Sequence, residues 1–271
     1  MALAAKIPFR HPYAAGFPGL GSQPMPTDAD ALDYLDRMAA ADGAGVEVGV
    51  ATAVSAFVRD TKAAGVFDAL KACCILAGAR TLAGALVPLR GDAPTPYGFV
   101  SGDFSRTAGL SDPGATSYLD SNYTTPASLQ DDCHFAVYTD ALPATQQMLA
   151  GANAGGSLAQ QLYCKDTLAN GLLNSGSTTA NAGTGHAGFH GCNRPNSETQ
   201  QVRAGGDTVS DLYASVGVPD LSVFLFARNL SGVASLTNDV NILFYSIGSS
   251  LDLAKLDSHV TAYVTAIGAA I

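Results

Sequence analysis

The spacing of apolar positions along the chain changes twice, near Lys71 and near Ser249. Before the first change, Leu32, Leu35, Met38 and Ala39 form one helical stripe, which predicts a helix over about 27–41. Thr27 stands at its N-cap, with Asp28 and Asp30 in the first turn. Gly43 and Gly45 interrupt the pattern. Val50, Val54, Phe57, Val58 and Thr61 resume it and predict a second helix over 50–64, with Gly65 where a left-handed cap belongs. Residues 27–70 therefore read as a helical hairpin packed on the main domain. Beyond Ser249, Leu253, Leu256, Val260, Val264 and Ile267 share a face, predicting a helix over 250–268 with a Ser cap and Asp252 in its first turn.

Between these changes the texture is that of strands. ACCILAG (72–78), CHFAVYT (133–139), LAQQLYC (158–164), QQVRA (200–204), LSVFLFA (221–227) and NILFYSIG (241–248) are short β-rich runs bounded by Gly, Pro, Asn or Asp. RTLAGALVPL (80–89) fits a strand or a short helix, and the Gly/Ser/Thr/Asn-rich stretch 151–191 fits small-residue strands or long loops. A parallel sheet needs a helix between successive strands, and none is legible here. The expected fold is mainly β: an antiparallel β-sandwich from about 71 to 248, closed by the C-terminal helix, so that 71–271 form the main domain.

Residues 1–26 have neither period. Pro8, Pro12, Pro18, Pro24 and Pro26 block both helix and strand, yet Phe9, Tyr13, Phe17 and Leu20 are too apolar for a freely solvated tail. An extended arm that docks on a neighbouring copy or on a partner protein is the expectation, with the chain assembling as a trimer or ring. This segment lacks the apolar run and small-residue cleavage site of a secretory signal, and no stretch reaches the roughly 20 apolar residues of a spanning helix.

Composition narrows the function. Of 271 residues only 14% are charged, the formal charge is −9 and no basic patch exists, which argues against nucleic acid as a partner. Cys73, Cys74, Cys133, Cys164 and Cys192 have no framework spacing and read as buried thiols of a reducing compartment. His186 and His190, with Cys192 beyond, have the four-residue spacing of a ligand pair, but GTGHAGFHGC has too many glycines for the helix such a pair needs. GFVSG (98–102) has the wrong spacing for a serine nucleophile. Glu47 and Glu198 are the two glutamates and lie in unrelated regions, so no carboxylate pair for glycoside hydrolysis is visible. Neither a catalytic residue, nor a metal, nor a cofactor is expected. Asp103, Asp112, Asp120 and Asn122 carry oxygen donors of the kind calcium takes, but at the spacing of ordinary turns.

The blocks GDFSRTAGLSDPGATSYLDS and FYSIGSSLDLAKLD give the chain a resemblance to tailed-bacteriophage virion structural proteins with a concanavalin-like, LamG-type jelly roll. The resemblance covers roughly 27–140 and 220–271, and departs at Asp112-Pro113, where the group often has Gly-Asn. It implies a non-enzymatic virion protein that decorates or cements the capsid or belongs to the tail. Its partners would be other virion proteins, and it would be made in the host bacterial cytoplasm. The alternative is a glycan-binding adhesion module on the virion surface, for which Tyr97, Tyr118 and Tyr123 are the candidate contacts, with Tyr163 also in view. The absence of tryptophan weighs against it.

Overall fold

The computed structural model describes residues 27–112, 114, 116–141, 146–165, 168–176, 179–184 and 187–271. The proposed arm residues Phe9, Tyr13, Phe17 and Leu20, and His186, lie outside these. In chain order the elements are α1 (Ala29–Asp42), α2 (Val48–Ala63), β1 (Leu70–Ile75), α3 (Leu82–Ala85), β2 (Pro88–Arg90), β3 (Thr95–Tyr97), β4 (Phe104–Ser105), β5 (Gly109–Leu110), β6 (Tyr118–Thr124) and β7 (Cys133–Thr139). There follow β8 (Gln147–Asn153), β9 (Ala159–Lys165), β10 (Leu168–Leu173), β11 (Ala180–Thr184), β12 (Gly188–Arg194), β13 (Thr199–Ala204) and β14 (Asp207–Leu212). The last are β15 (Ser222–Leu225), β16 (Arg228–Leu230), β17 (Val233–Ser235), β18 (Ile242–Gly248) and α4 (Leu253–Ala270).

The strands form two sheets packed as an antiparallel β-sandwich, so the fold is mainly β, as expected. The first sheet runs β14-β13-β12-β7-β18-β1-β2 and the second β11-β10-β9-β8-β15-β6-β3. A short parallel pairing of β16 with β8 is the exception to antiparallel order. The ambiguous run 80–89 resolves into both alternatives, the one-turn α3 and then β2. The described residues of the glycine-rich stretch 151–191 are mainly strand, contributing to β8 through β12, and not long loop.

Alternation along the first sheet divides its side chains between two cores. Phe135 and Val137 of β7, Ala72 and Cys74 of β1, and Tyr245 and Ile247 of β18 face the second sheet. Ala136, Cys73, Ile75 and Phe244 face the helices instead. There α1 supplies Tyr34, Leu35 and Met38, α2 supplies Val50, Val54, Phe57 and Val58, and α4 supplies Leu256, Val260, Tyr263 and Ile267. The Phe57 ring meets Phe244 and Tyr263 edge-on, each at 5.8 Å. The middle strands of the first sheet, β7, β18 and β1, are thus covered on both faces.

Two caps differ from expectation. Asp28, not Thr27, caps α1 through its carboxylate, which accepts from the amides of Asp30 and Ala31 and also holds Lys62 of α2 at 2.7 Å. Asp252, expected in the first turn, is itself the N-cap of α4. In both cases a carboxylate nearer the helix than the expected hydroxyl reaches the free amides.

At the β10 end the sandwich is joined through polar groups. The buried Gln200 of β13 donates to the Gly171 carbonyl at 2.9 Å and accepts from the Leu173 amide at 2.6 Å. The fully buried Arg194 of β12 donates from Nε to the Leu173 carbonyl at 2.5 Å and from Nη1 to the Tyr213 carbonyl at 2.9 Å. A Cβ on Gly171 would lie 2.5 Å from Val202 and 2.6 Å from Cys192, so the sheets approach here because no side chain separates them.

His134 is fully buried on β7; its ring nitrogens lie 2.6 Å from the Ser249 carbonyl oxygen and 3.0 Å from the Ser246 hydroxyl. Burial lowers its pKa from 6.5 to about 4, because the charged ring would lose its hydration. The unfolded chain therefore binds the proton first: the His134 contribution is complete above pH 6.5 and is lost as pH falls from there toward 4. At about 1.4 kcal/mol per pH unit this amounts to about 3 kcal/mol. Urea midpoints measured across pH 7 to 4 should fall accordingly, and His134→Gln should flatten that slope; an unchanged slope would refute the assignment. All five cysteines are free and buried, and burial raises their pKa, to about 12 for Cys74, Cys133 and Cys164. A thiol reagent should label none in the native protein and all five in denaturant.

Candidate functional site: an aromatic row on the open sheet

Helices cover the middle of the outer face of the first sheet, whereas among the described residues no helix packs on the outer face of the second. On β6, Leu119 enters the inter-sheet core, so Tyr118 and Asp120 point outward. On β15, Val223 and Leu225 are inward and Phe224 outward. Tyr97 of β3 is paired directly across from Tyr118, and Phe224 lies diagonally to it, registered with Asp120.

The three rings stack. Tyr97 and Tyr118 have centroids 4.6 Å apart and planes inclined by 10°; Tyr118 and Phe224 are 4.5 Å apart at 26°. Burial falls along the row: Phe224 is 5% exposed, Tyr118 is half-buried and Tyr97 is 45% exposed. The Tyr118 pKa is raised, first by burial and then by the neighbouring Tyr97 and Asp120, so its hydroxyl stays protonated through neutral pH.

The short β3 is held at both ends. Asn122, in the left-handed region at φ 54°, donates from its side chain to the Ala93 carbonyl at 2.8 Å and to the Thr95 hydroxyl oxygen at 2.9 Å. Its amide donates to the Asp120 carboxylate at 2.9 Å. Asparagine tolerates that backbone better than other side-chain-bearing residues. Beyond Tyr97, Gly98 turns at φ 83° against Ser117, where a Cβ would lie 2.6 Å from the hydroxyl oxygen. Phe99 then turns inward and meets Phe226 edge-on at 5.1 Å. These contacts keep Tyr97 in register with Tyr118.

Of the candidate contacts, Tyr97 and Tyr118 come together and Tyr123 does not. Tyr123 is an odd number of residues from Tyr118, so it faces the inter-sheet core, where burial raises its pKa to about 12. Parity alone separates the two. Tyr163 is half-buried on β9, paired with Asn170 and Met148 rather than with the row. Phe224 was not singled out, because LSVFLFA reads as apolar on both faces.

The acidic turn residues each satisfy backbone. Asp103 accepts from the Val100 amide at 2.7 Å, Asp112 from the Ser117 amide and Asp120 from the Asn122 amide. His190 is fully buried on β12, and Cys192 faces the inter-sheet core. Among the described residues no group of three His, Cys, Asp or Glu side chains is placed to hold a metal ion.

No protein-family model and no curated protein sequence matches the chain. Among solved structures it is similar to the CBM40 domain of Ruminococcus gnavus IT-sialidase, with 12% identity over 48% of this chain and 83% of that one, at a TM-score of 0.39. It is also similar to a mutant of Trypanosoma rangeli sialidase displaying trans-sialidase activity, with 12% identity over 78% of this chain and 38% of that one, at a TM-score of 0.45. Domains LG4-5 of the mouse laminin alpha1 chain match at 13% identity over 45% of this chain and 37% of that one, with a TM-score of 0.33.

The row predicts unequal costs of truncation. Tyr118→Ala removes a ring stacked on both faces and should cost about 2–3 kcal/mol. Tyr97→Ala removes an exposed ring stacked on one face and should cost less than about 1 kcal/mol. Both should diminish the near-ultraviolet circular dichroism, which in this tryptophan-free chain comes mainly from tyrosine. Equal stability losses would contradict the stacking order.

Proposed function

We propose that the protein is a non-enzymatic glycan-binding module, with Tyr97 and Tyr118 at the binding site and Phe224 as their support. The observation that carries this is the half-exposed Tyr97 at the end of a preformed stack, on the outer face of the second sheet, which no helix covers among the described residues. A sugar ring presents C–H groups on its faces and hydroxyls around its rim. An aromatic face receives the first at little entropic cost when the ring is already fixed. Asp120 and Thr95 lie beside the row to receive the second: Asp120 as an acceptor, Thr95 as a donor, since its oxygen already accepts from Asn122.

The setting, within the same proposal, is the surface of a tailed-phage particle. Its support is the resemblance, whose most telling block, GDFSRTAGLSDPGATSYLDS, contains Tyr118 and Asp120. Adhesion is preferred to a purely cementing or tail-structural role because a buried protein contact would leave a half-exposed tyrosine row without use. Assembly through the N-terminal arm remains part of the proposal, on residues outside the described ones.

Titration of the full chain with neutral oligosaccharides, followed by tyrosine fluorescence and calorimetry, should give Tyr97-dependent binding. Tyr97→Ala should lose at least about tenfold in affinity with its melting temperature nearly unchanged. Binding that Tyr97→Ala retains would overturn the assignment.

A further inference from the structure

We infer that the site takes a single neutral sugar ring end-on, seated just beyond β3 as the next layer of the stack. This rests on the row being a glycan site. The rings lie face to face, so each hides a face of its neighbour. Tyr118 has Tyr97 on one side and Phe224 on the other, which leaves neither face free. Tyr97 has one ring neighbour and stands on the last strand of its sheet. Among the described residues, the face of the row that meets no other ring and is exposed is therefore that of Tyr97, looking outward past the sheet edge. A flat platform would seat several sugars side by side; the end of a stack seats one.

The spacing and the edge chemistry agree. Layers 4.5 and 4.6 Å apart match the separation of neighbouring strands, about 4.8 Å, so the next layer falls where another strand would lie. A strand is poorly received there, because the middle residue of β3 is Pro96, which has no amide hydrogen to donate. The same proline disfavours a second copy of the chain adding its own edge. A ligand ring needs no backbone donor and meets no such obstacle.

Charge selects the kind of sugar. The Asp120 carboxylate lies in the outward row, registered with Thr95 on one side and Phe224 on the other. With a formal charge of −9 on the chain as well, a sugar bearing a carboxylate meets repulsion from Asp120. A neutral sugar can instead donate a hydroxyl to Asp120.

The test uses the full chain and two probe sets. The first is the methyl glycosides of glucose, galactose, mannose, N-acetylglucosamine and N-acetylneuraminic acid; the second is oligomers of two to six units of the neutral sugars. The best methyl glycoside should bind within about threefold of its own oligomers, and the N-acetylneuraminic acid glycoside at least about tenfold more weakly. Asp120→Asn should narrow that second gap, and Tyr97→Ala should abolish binding. Affinity that climbs more than about tenfold with chain length, yet still depends on Tyr97, overturns end-on seating and leaves the glycan site standing. Preference for the acidic sugar overturns the charge argument. No Tyr97-dependent binding to any probe overturns the glycan site itself.

Discussion

Everything in this fold depends on the middle strands of the first sheet being buried on both faces. All of β18 and nearly all of β7 are inaccessible to solvent, with Phe244 under the helices and Tyr245 under the second sheet. A strand in that position tolerates no charge and no unpaired backbone group, since either would be desolvated without return. The condition explains the apolar runs, the buried thiols and a neutral buried His134 held between a carbonyl and a hydroxyl. It also explains why α1, α2 and α4 are amphipathic rather than apolar all round: each has one sheet to cover and one face in water.

The two halves of the sandwich interior are built on different principles. Near β1, β7 and β18 large side chains fill the space. Near β8 to β12 many inward positions are small, Ala150, Ala152, Ala169, Ala180, Ala182 and Gly171 among Leu149, Leu162 and Leu173, and the sheets approach at Gly171. Close approach gives little apolar area, and Gln200 and Arg194 join the sheets there by hydrogen bonds to backbone. Such bonds gain strength from the dry surroundings, and losing one partner would leave a buried polar group unsatisfied.

The same asymmetry locates the candidate site. With the middle of one sheet enclosed, the outward row of the other is where aromatic rings can be ordered by strand pairing and still reach solvent. Strand register stacks Tyr97 on Tyr118 and Tyr118 on Phe224, and Asn122, Gly98 and Phe99 hold the edge strand that carries the exposed member. Rigid placement is what distinguishes this row from scattered surface tyrosines, because a ring already ordered loses little further freedom when it binds.

Much of the architecture was written in local pattern. Helical stripes at Leu32–Met38, Val50–Thr61 and Leu253–Ile267, and the β-rich runs at 133–139 and 241–248, specify elements through side-chain periodicity, a property of neighbours along the chain. Tyr97 and Tyr118 were candidates as exposed aromatics, and the opposite facing of Tyr123 followed from parity alone. Within 151–191 the run 158–164 was legible as β9, but the rest stayed open between strand and loop, because alanine and glycine carry no hydrophobic alternation and their strand form is imposed by the sheets they fill. Phe224 was hidden for the converse reason: in an apolar run, which residue faces out depends on what covers each face. The sequence by itself therefore determined the order and type of the strongly periodic elements, since those depend on contacts within a few residues. Only the tertiary structure decided which sheet face stays open and which three rings, spread over more than a hundred residues of the chain, share one stack, since that depends on long-range pairing and burial.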